Sequence, residues 1–224
     1  MEAATAAEVG LDNRGHTVVR RMLCEVPLLV RVIDNGPTLS LAMVNGAAGP
    51  LGGDHYRFRL EVGAGAHVAV CSVAAAMAQP GPSWAASEMV VDLVVGEHAT
   101  LDWAPQPTVS VVGSDHRVVV HLAAAGSARV VMREGVSLGR SGEPSGRFAL
   151  RQRVIIDEVA VLDHETVLAP GALVGPGAHG PGRNLTTSVI IGADLPPPSV
   201  SVTERCVQAT VHLSPICALV TTRS

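Results

Sequence analysis

The sequence contains no lysine, so all 16 of its basic residues are arginine. A phosphate-binding loop in its usual Gly-Lys-Ser/Thr form is therefore excluded, and no dinucleotide fingerprint stands between a strand and a helix. Aromatic residues make up 2% of the chain, which leaves little for base stacking. The formal net charge is -4 and the arginines are dispersed, so neither nucleic acid nor an anionic membrane is indicated as a partner. Long apolar runs are missing too. The longest, from Val68 to Ala78, is broken by Ser72 and falls short of the roughly 18–20 residues a membrane span requires. The four cysteines, Cys24, Cys71, Cys206 and Cys217, form no Cys-x-x-Cys pair, which argues against a zinc knuckle and for reduced thiols in a cytoplasmic protein. Arg20-Arg21 stands before MLCEVPLLV, but Glu25, Pro27 and Arg31 interrupt the apolar stretch that an export signal would need.

What the sequence does have is Val, Leu, Ala and Gly. Apolar residues are 47% of the chain against 16% charged, enough to offset ordering entropy and build a core. Residues 1–15 are small and polar without clear periodicity, so a flexible tail is expected up to residue 17, followed by one β-rich domain over 18–224. RFRLEVGAGAHVAVCSVAA, MVVDLVVGEHATLDWAPQP and VVVHLAAAGSARVVMREGV each read as a strand, a glycine turn and a second strand, spaced roughly 30 residues apart. Tyr56, Phe58, Leu60 and Val62 alternate with Arg57, Arg59 and Glu61, giving one buried and one wet face, whereas Val118–Val120 is apolar on both faces, as in a central strand. The expected fold class is mainly β: stacked antiparallel hairpins in a β-sandwich or β-helical wrap. Helices are few and short, one turn being expected over Val73–Ala78. The Gly/Pro-rich segment 169–183 is too punctuated for regular structure, and short strands follow at Thr186–Ile191 and Val200–Val202.

Catalytic signatures are scarce. Nine histidines (16, 55, 67, 98, 116, 121, 164, 179 and 212) include neither His-x-His nor His-Glu-x-x-His, although ligands can converge from separate strands. No Gly-x-Ser-x-Gly elbow is present. Ser114-Asp115-His116 reads as a turn, because neighbouring strand side chains point to opposite faces and a triad assembles across the fold. Four acids stand out: Asp54 after two glycines at a strand start, Asp102 beside Trp103, Glu134 in the third repeat and Glu143 in the loop after Gly142. Turn and surface chemistry accounts for such positions well, since Asp caps strand ends through backbone hydrogen bonds.

Three ordered blocks, MVNGAAGPLGGDHYRFRLEVGAGAHVAVCS, VVGEHATLDWAPQP and GVSLGRSGEPSGRFALRQRVII, resemble the urease accessory protein UreD, also called UreH. The matching positions are Asn45, Gly46, Gly49, Gly52, Gly53 and Asp54, then the hairpin Val62–Ser72. After them come Trp103, Pro105 and Gln106, then Gly139, Arg140, Gly142, Glu143 and Phe148, and a later strand over 179–193. The likeness covers roughly residues 18–195. It departs at AAAMAQPG (74–81), where the family carries a lysine and a tyrosine, and at Pro107, where it carries an acid. The sequence also stops at Ser224, short of the helical tail expected of the family.

The resemblance implies a β-rich scaffold rather than an enzyme. It implies partners as well: the urease apoprotein on one side, UreF on the other, and the GTPase UreG indirectly through UreF. No tightly bound cofactor is implied, only transient nickel. A conduit must release its ion, so scattered single ligands suit it better than a closed cage. Asp54 is the leading candidate for such a path, followed by Asp102 and Glu143, with Cys71 and His55 assisting. Two other readings stay open: a cupin-like metalloenzyme using three histidines, and a structural β-solenoid.

Overall fold

The computed structural model describes residues 1–170, 182–203 and 206–224; His179 and most of the 169–183 segment lie outside them. Every regular element among the described residues is a strand. The chain opens with β1 (Glu2–Leu11) and β2 (Thr17–Leu23), then β3 (Leu28–Asn35) and β4 (Leu39–Asn45). Coils follow in which one long strand is succeeded by another: β5 (His55–Val62) by β6 (His67–Ser72) and the short β7 (Met77–Ala78); β8 (Ser87–Val95) by β9 (Thr100–Ala104) and β10 (Thr108–Ser110); β11 (Asp115–Ala124) by β12 (Arg129–Leu138). The chain closes with β13 (Arg147–Ile156), β14 (Val159–Leu168), β15 (Asn184–Ile191), β16 (Ser199–Val202), β17 (Val207–Ser214) and β18 (Cys217–Arg223).

These strands form two sheets. The first runs β14-β13-β11-β8-β5-β1-β2, the second β16-β17-β18-β15-β12-β9-β6-β4-β3, with β7 and β10 beside it. The mainly β expectation holds, but the repeats are not antiparallel hairpins. β5 and β6 lie in different sheets, and each pairs in parallel with its counterpart one repeat later: β5 with β8, β8 with β11, β6 with β9 and β9 with β12. The glycine turns explain why. Gly96 N–H bonds Val62 C=O, and Gly65 N–H bonds Glu97 C=O, so turn backbone is satisfied by the adjacent coil and the chain crosses between sheets. Among the described residues, antiparallel strand pairing is confined to the sheet ends, in β1/β2, β3/β4, β13/β14 and the β12-β15-β18-β17-β16 series.

Two further expectations are corrected. The expected tail to residue 17 is strand β1 over residues 2–11, parallel to β5 from Glu2↔His55 to Val9↔Val62, with Ala3, Thr5, Ala7 and Val9 buried. The helical turn expected at Val73–Ala78 is instead a bend and a short irregular stretch leading into β7, which pairs with β10. The expected strands near 186–191 and 200–202 are β15 and β16, and β11, carrying Val118–Val120, is central between β8 and β13. The core lies between the sheets, where Phe58 of one and Trp103 of the other stack at a ring-centroid distance of 5.4 Å. No helix among the described residues is long and apolar enough to cross a membrane.

The coils have two unlike edges. One consists of the short glycine turns. The other carries the long connections 46–54, 73–86, 105–114 and 139–146.

Candidate functional site

Where the long connections meet the sheets, the layers part around a cavity of about 310 Å³. Its walls come from the starts of β5, β8 and β11 (Tyr56, Met89, Val91, Val118) and the ends of β4 and β9 (Met43, Trp103), with Ala47–Pro50, Ser72–Met77, Pro105 and Gln106 towards the surface. Among the described residues, two ionisable side chains other than Tyr56 reach the lining, Glu134 and His116. Both are there because strand alternation turns them inward: Glu134 follows the outward Arg133 on β12, and His116 follows the outward Asp115 on β11.

Glu134 is buried, and its Oε1 accepts a 2.6 Å hydrogen bond from Trp103 Nε1. Burial pushes its carboxyl up to about 7, against the opposing effect of the indole N–H. His116 is also buried, with Nδ1 2.9 Å from Ser87 Oγ, and burial pushes its imidazole down to about 4. At neutral pH the cavity therefore holds one carboxyl near its midpoint, an uncharged histidine and, among the described residues, no cation from its own walls.

Asp54 stands just behind this lining. Its Oδ2 accepts from Leu51 N–H at 2.9 Å and from the Tyr56 hydroxyl at 2.7 Å, while Oδ1 lies 2.7 Å from the Met1 amino group. Burial raises its pKa, but these donors outweigh that and hold the carboxyl below the usual range; the Tyr56 hydroxyl is shifted up by burial and by Asp54. The other expected metal-path residues are dispersed. Asp102 is on the outer face of β9, paired with Arg133 at 2.7 Å. His55 is exposed on the outer face of β5, Cys71 follows the inward Val70 on β6, and Glu143 pairs with Arg140 at 3.1 Å in the β12–β13 connection. Among the described residues, no three His, Cys, Asp or Glu side chains come together as a metal-binding group.

The motif residues behave differently, for all of them lie on the long-connection edge. Gly52 and Gly53 form the turn into β5, and Pro105 and Gln106 line the cavity, where Gln106 N–H donates to Ser72 Oγ at 2.8 Å. Gly139, Arg140 and Gly142 shape the last loop, whose carbonyls at Leu138, Arg140 and Glu143 accept from the Arg183 guanidinium. Gly139 (φ +71°) and Gly142 (φ +80°) occupy the left-handed region that favours glycine.

Sequence reasoning leads with Asp54; it names Glu134 among four acids but leaves it off the expected metal path, and it reads His116 as part of a turn. Alternation along β12, with apolar Val130, Met132 and Val136 in phase with Glu134, is the signal that places it inside. Further interior polar groups continue from it. Thr187, the register partner of Glu134, together with Gln152 and Arg223, has buried side-chain atoms without a hydrogen-bond partner among the described residues.

The family model of the UreD urease accessory protein matches residues 3–221. A urease accessory protein UreD of Streptomyces coelicolor is 39% identical over 162 residues, covering 72% of this chain and 64% of that protein. Its counterpart in Parafrankia is 36% identical over 184 residues (80% and 62%), and one in Saccharopolyspora erythraea 33% over 195 (85% and 68%). The chain thus spans under two thirds of the length of the Streptomyces coelicolor and Parafrankia relatives. On the strength of the match over 3–221, this chain belongs to the UreD urease accessory protein family.

Proposed function

We propose that the chain is a non-catalytic scaffold in urease maturation: it binds the urease apoprotein and UreF, reaches UreG through UreF, and assists nickel insertion in the cytoplasm. The observation that carries this reading is the family match across nearly the whole chain. The coil architecture supports it, because stacked parallel strands give two broad, rigid faces and an edge of independent loops on which partners can assemble. Nickel is cargo in this reading. The buried carboxyl of Glu134 and the Asp54–Tyr56 pair beside it offer oxygen ligands one at a time, weak enough to release a borderline cation.

Omitting the chain from a heterologous urease operon should abolish urease activity in nickel-supplemented cells, and supplying it in trans should restore it. Full activity without it would overturn the scaffold reading. Within the same assay, Asp54→Asn retains an acceptor for Leu51 N–H and Tyr56 Oη, yet removes the charge. It should lower activation several-fold at limiting nickel and recover at high nickel. If activation is unchanged at limiting nickel, Asp54 has no part in the nickel route.

A further inference from the structure

The two edges of the coils differ in charge as well as length. Of the long connections, 46–53, 73–86 and 105–114 contain no Asp, Glu, Arg or His; the charged residues there are the buried Asp54 and, in 139–146, Arg140 and Glu143, which pair with each other. The opposite edge carries Asp12, Arg14, Glu97, His98, Asp157 and Glu158. On the three uncharged connections Val73 is 68% exposed and Trp84 74%, with Leu51, Met77 and Val112 also exposed. Trp84 sits at φ +54°, a conformation non-glycine residues seldom adopt, with its ring close to Gly113. Depletion of charge around exposed apolar and aromatic side chains marks the centre of a protein-docking patch.

The cavity opens within this patch, and its chemistry narrows what can enter. Its upper walls are apolar, its mouth is framed by Ala47, Ala48, Val73 and Ala74, and the acid at its base meets no cation among the described lining residues. An aliphatic stem would bury against Met43, Met89 and Val91, while a positive group at its tip would complement Glu134. We propose that the long-connection edge docks a protein partner and that the cavity receives one arginine or lysine side chain of that partner. This goes beyond the scaffold reading and does not depend on which protein is bound.

The test uses the full chain and synthetic peptides of the sequence Ac-Ser-Leu-Ala-X-Ala-Leu-Ser-NH2, with X arginine, lysine or the uncharged isostere citrulline, in titration calorimetry. The arginine or lysine peptide should bind roughly tenfold more tightly than the citrulline peptide, the discrimination one charge pair supplies. Glu134→Gln should remove that preference. Val73→Arg, at an exposed position that cannot disturb the core, places a tethered cation at the mouth and should abolish binding of the charged peptides. Equal binding of charged and citrulline peptides, no binding of any, or a preference that survives both substitutions would overturn the proposal. Self-association of the chain that Val73→Arg abolishes, or binding to phosphatidylcholine vesicles that it abolishes, would reassign the edge to a second copy or to a lipid surface.

Discussion

Glu134→Gln is expected to unfold less readily than the wild type at pH 8, by up to about 3 kcal/mol, and to lose the alkaline limb of the stability profile. Glutamine keeps the shape and the acceptor for Trp103 Nε1 but cannot ionise. The folded carboxyl titrates near 7 and the unfolded one near 4.5, so between these values the native state holds a proton that the unfolded chain has released. Its contribution is intact below pH 4.5 and is lost as pH rises through 7. His116 works in the opposite sense. Its folded value near 4 lies below the unfolded 6.5, so its contribution is whole above pH 6.5 and is lost as pH falls through 4. Between pH 4.5 and 6.5 the two slopes oppose, and these groups give the wild type a plateau that declines on both sides. Glu134→Gln should show the His116 limb alone, rising from pH 4 to 6.5 and level thereafter. Urea unfolding of both proteins across pH 4.5–8 measures this. Parallel curves would mean that Glu134 is not held in a dry interior.

Gly52→Ala should cost about 2–3 kcal/mol, the range of overpacking in a tight interior. A Cβ there would stand 2.5 Å from Gly81 N and 2.6 Å from Ala85 O, both backbone atoms. The facing loop cannot withdraw freely, because Gly52 N–H bonds Gln79 C=O, Gly53 N–H bonds Ala86 C=O and Trp84 N–H bonds Gly81 C=O. Gly142 makes the comparison. Its φ is +80° and a methyl group there would meet nothing within 4 Å, so Gly142→Ala should cost only the left-handed penalty, about 1 kcal/mol. Thermal melts should rank Gly52→Ala well below Gly142→Ala. If both melt together with the wild type, the approach of the 46–54 and 73–86 connections is absent in solution.

Strand identity is legible in the sequence where side chains are large enough to show their period, as in Tyr56-x-Phe58-x-Leu60-x-Val62. The same alternation runs through Ala3-x-Thr5-x-Ala7-x-Val9, but small side chains hide it, and an N-terminal strand reads as a tail. Parallel rather than antiparallel pairing is not legible. A Gly-Ala-Gly turn suits a hairpin equally well, and what decides is hydrogen bonding between turns one repeat apart. At the site, Gly52-Gly53-Asp54 draws attention because glycines at a strand start are conspicuous. Glu134 is in phase with apolar Val130, Met132 and Val136, but its contact with the Trp103 indole is not legible, because it depends on the parallel register of β9 and β12. Ser114-Asp115-His116, which reads as a turn, instead leads into β11 at Asp115, so Asp115 turns outward to Arg147 at 2.9 Å while His116 turns inward to Ser87.

The parallel pairing of β1 with β5 also sets an order of events during synthesis. β1 leaves the ribosome before β5, so apart from β2 the backbone partner it needs, His55–Val62, is made only after β2, β3 and β4 have followed. β1 is thus completed by a later strand, and ordering of the seven-stranded sheet waits on a non-local contact of the kind that slows folding. Until then, the small side chains of β1 leave little apolar surface for a nascent chain to expose.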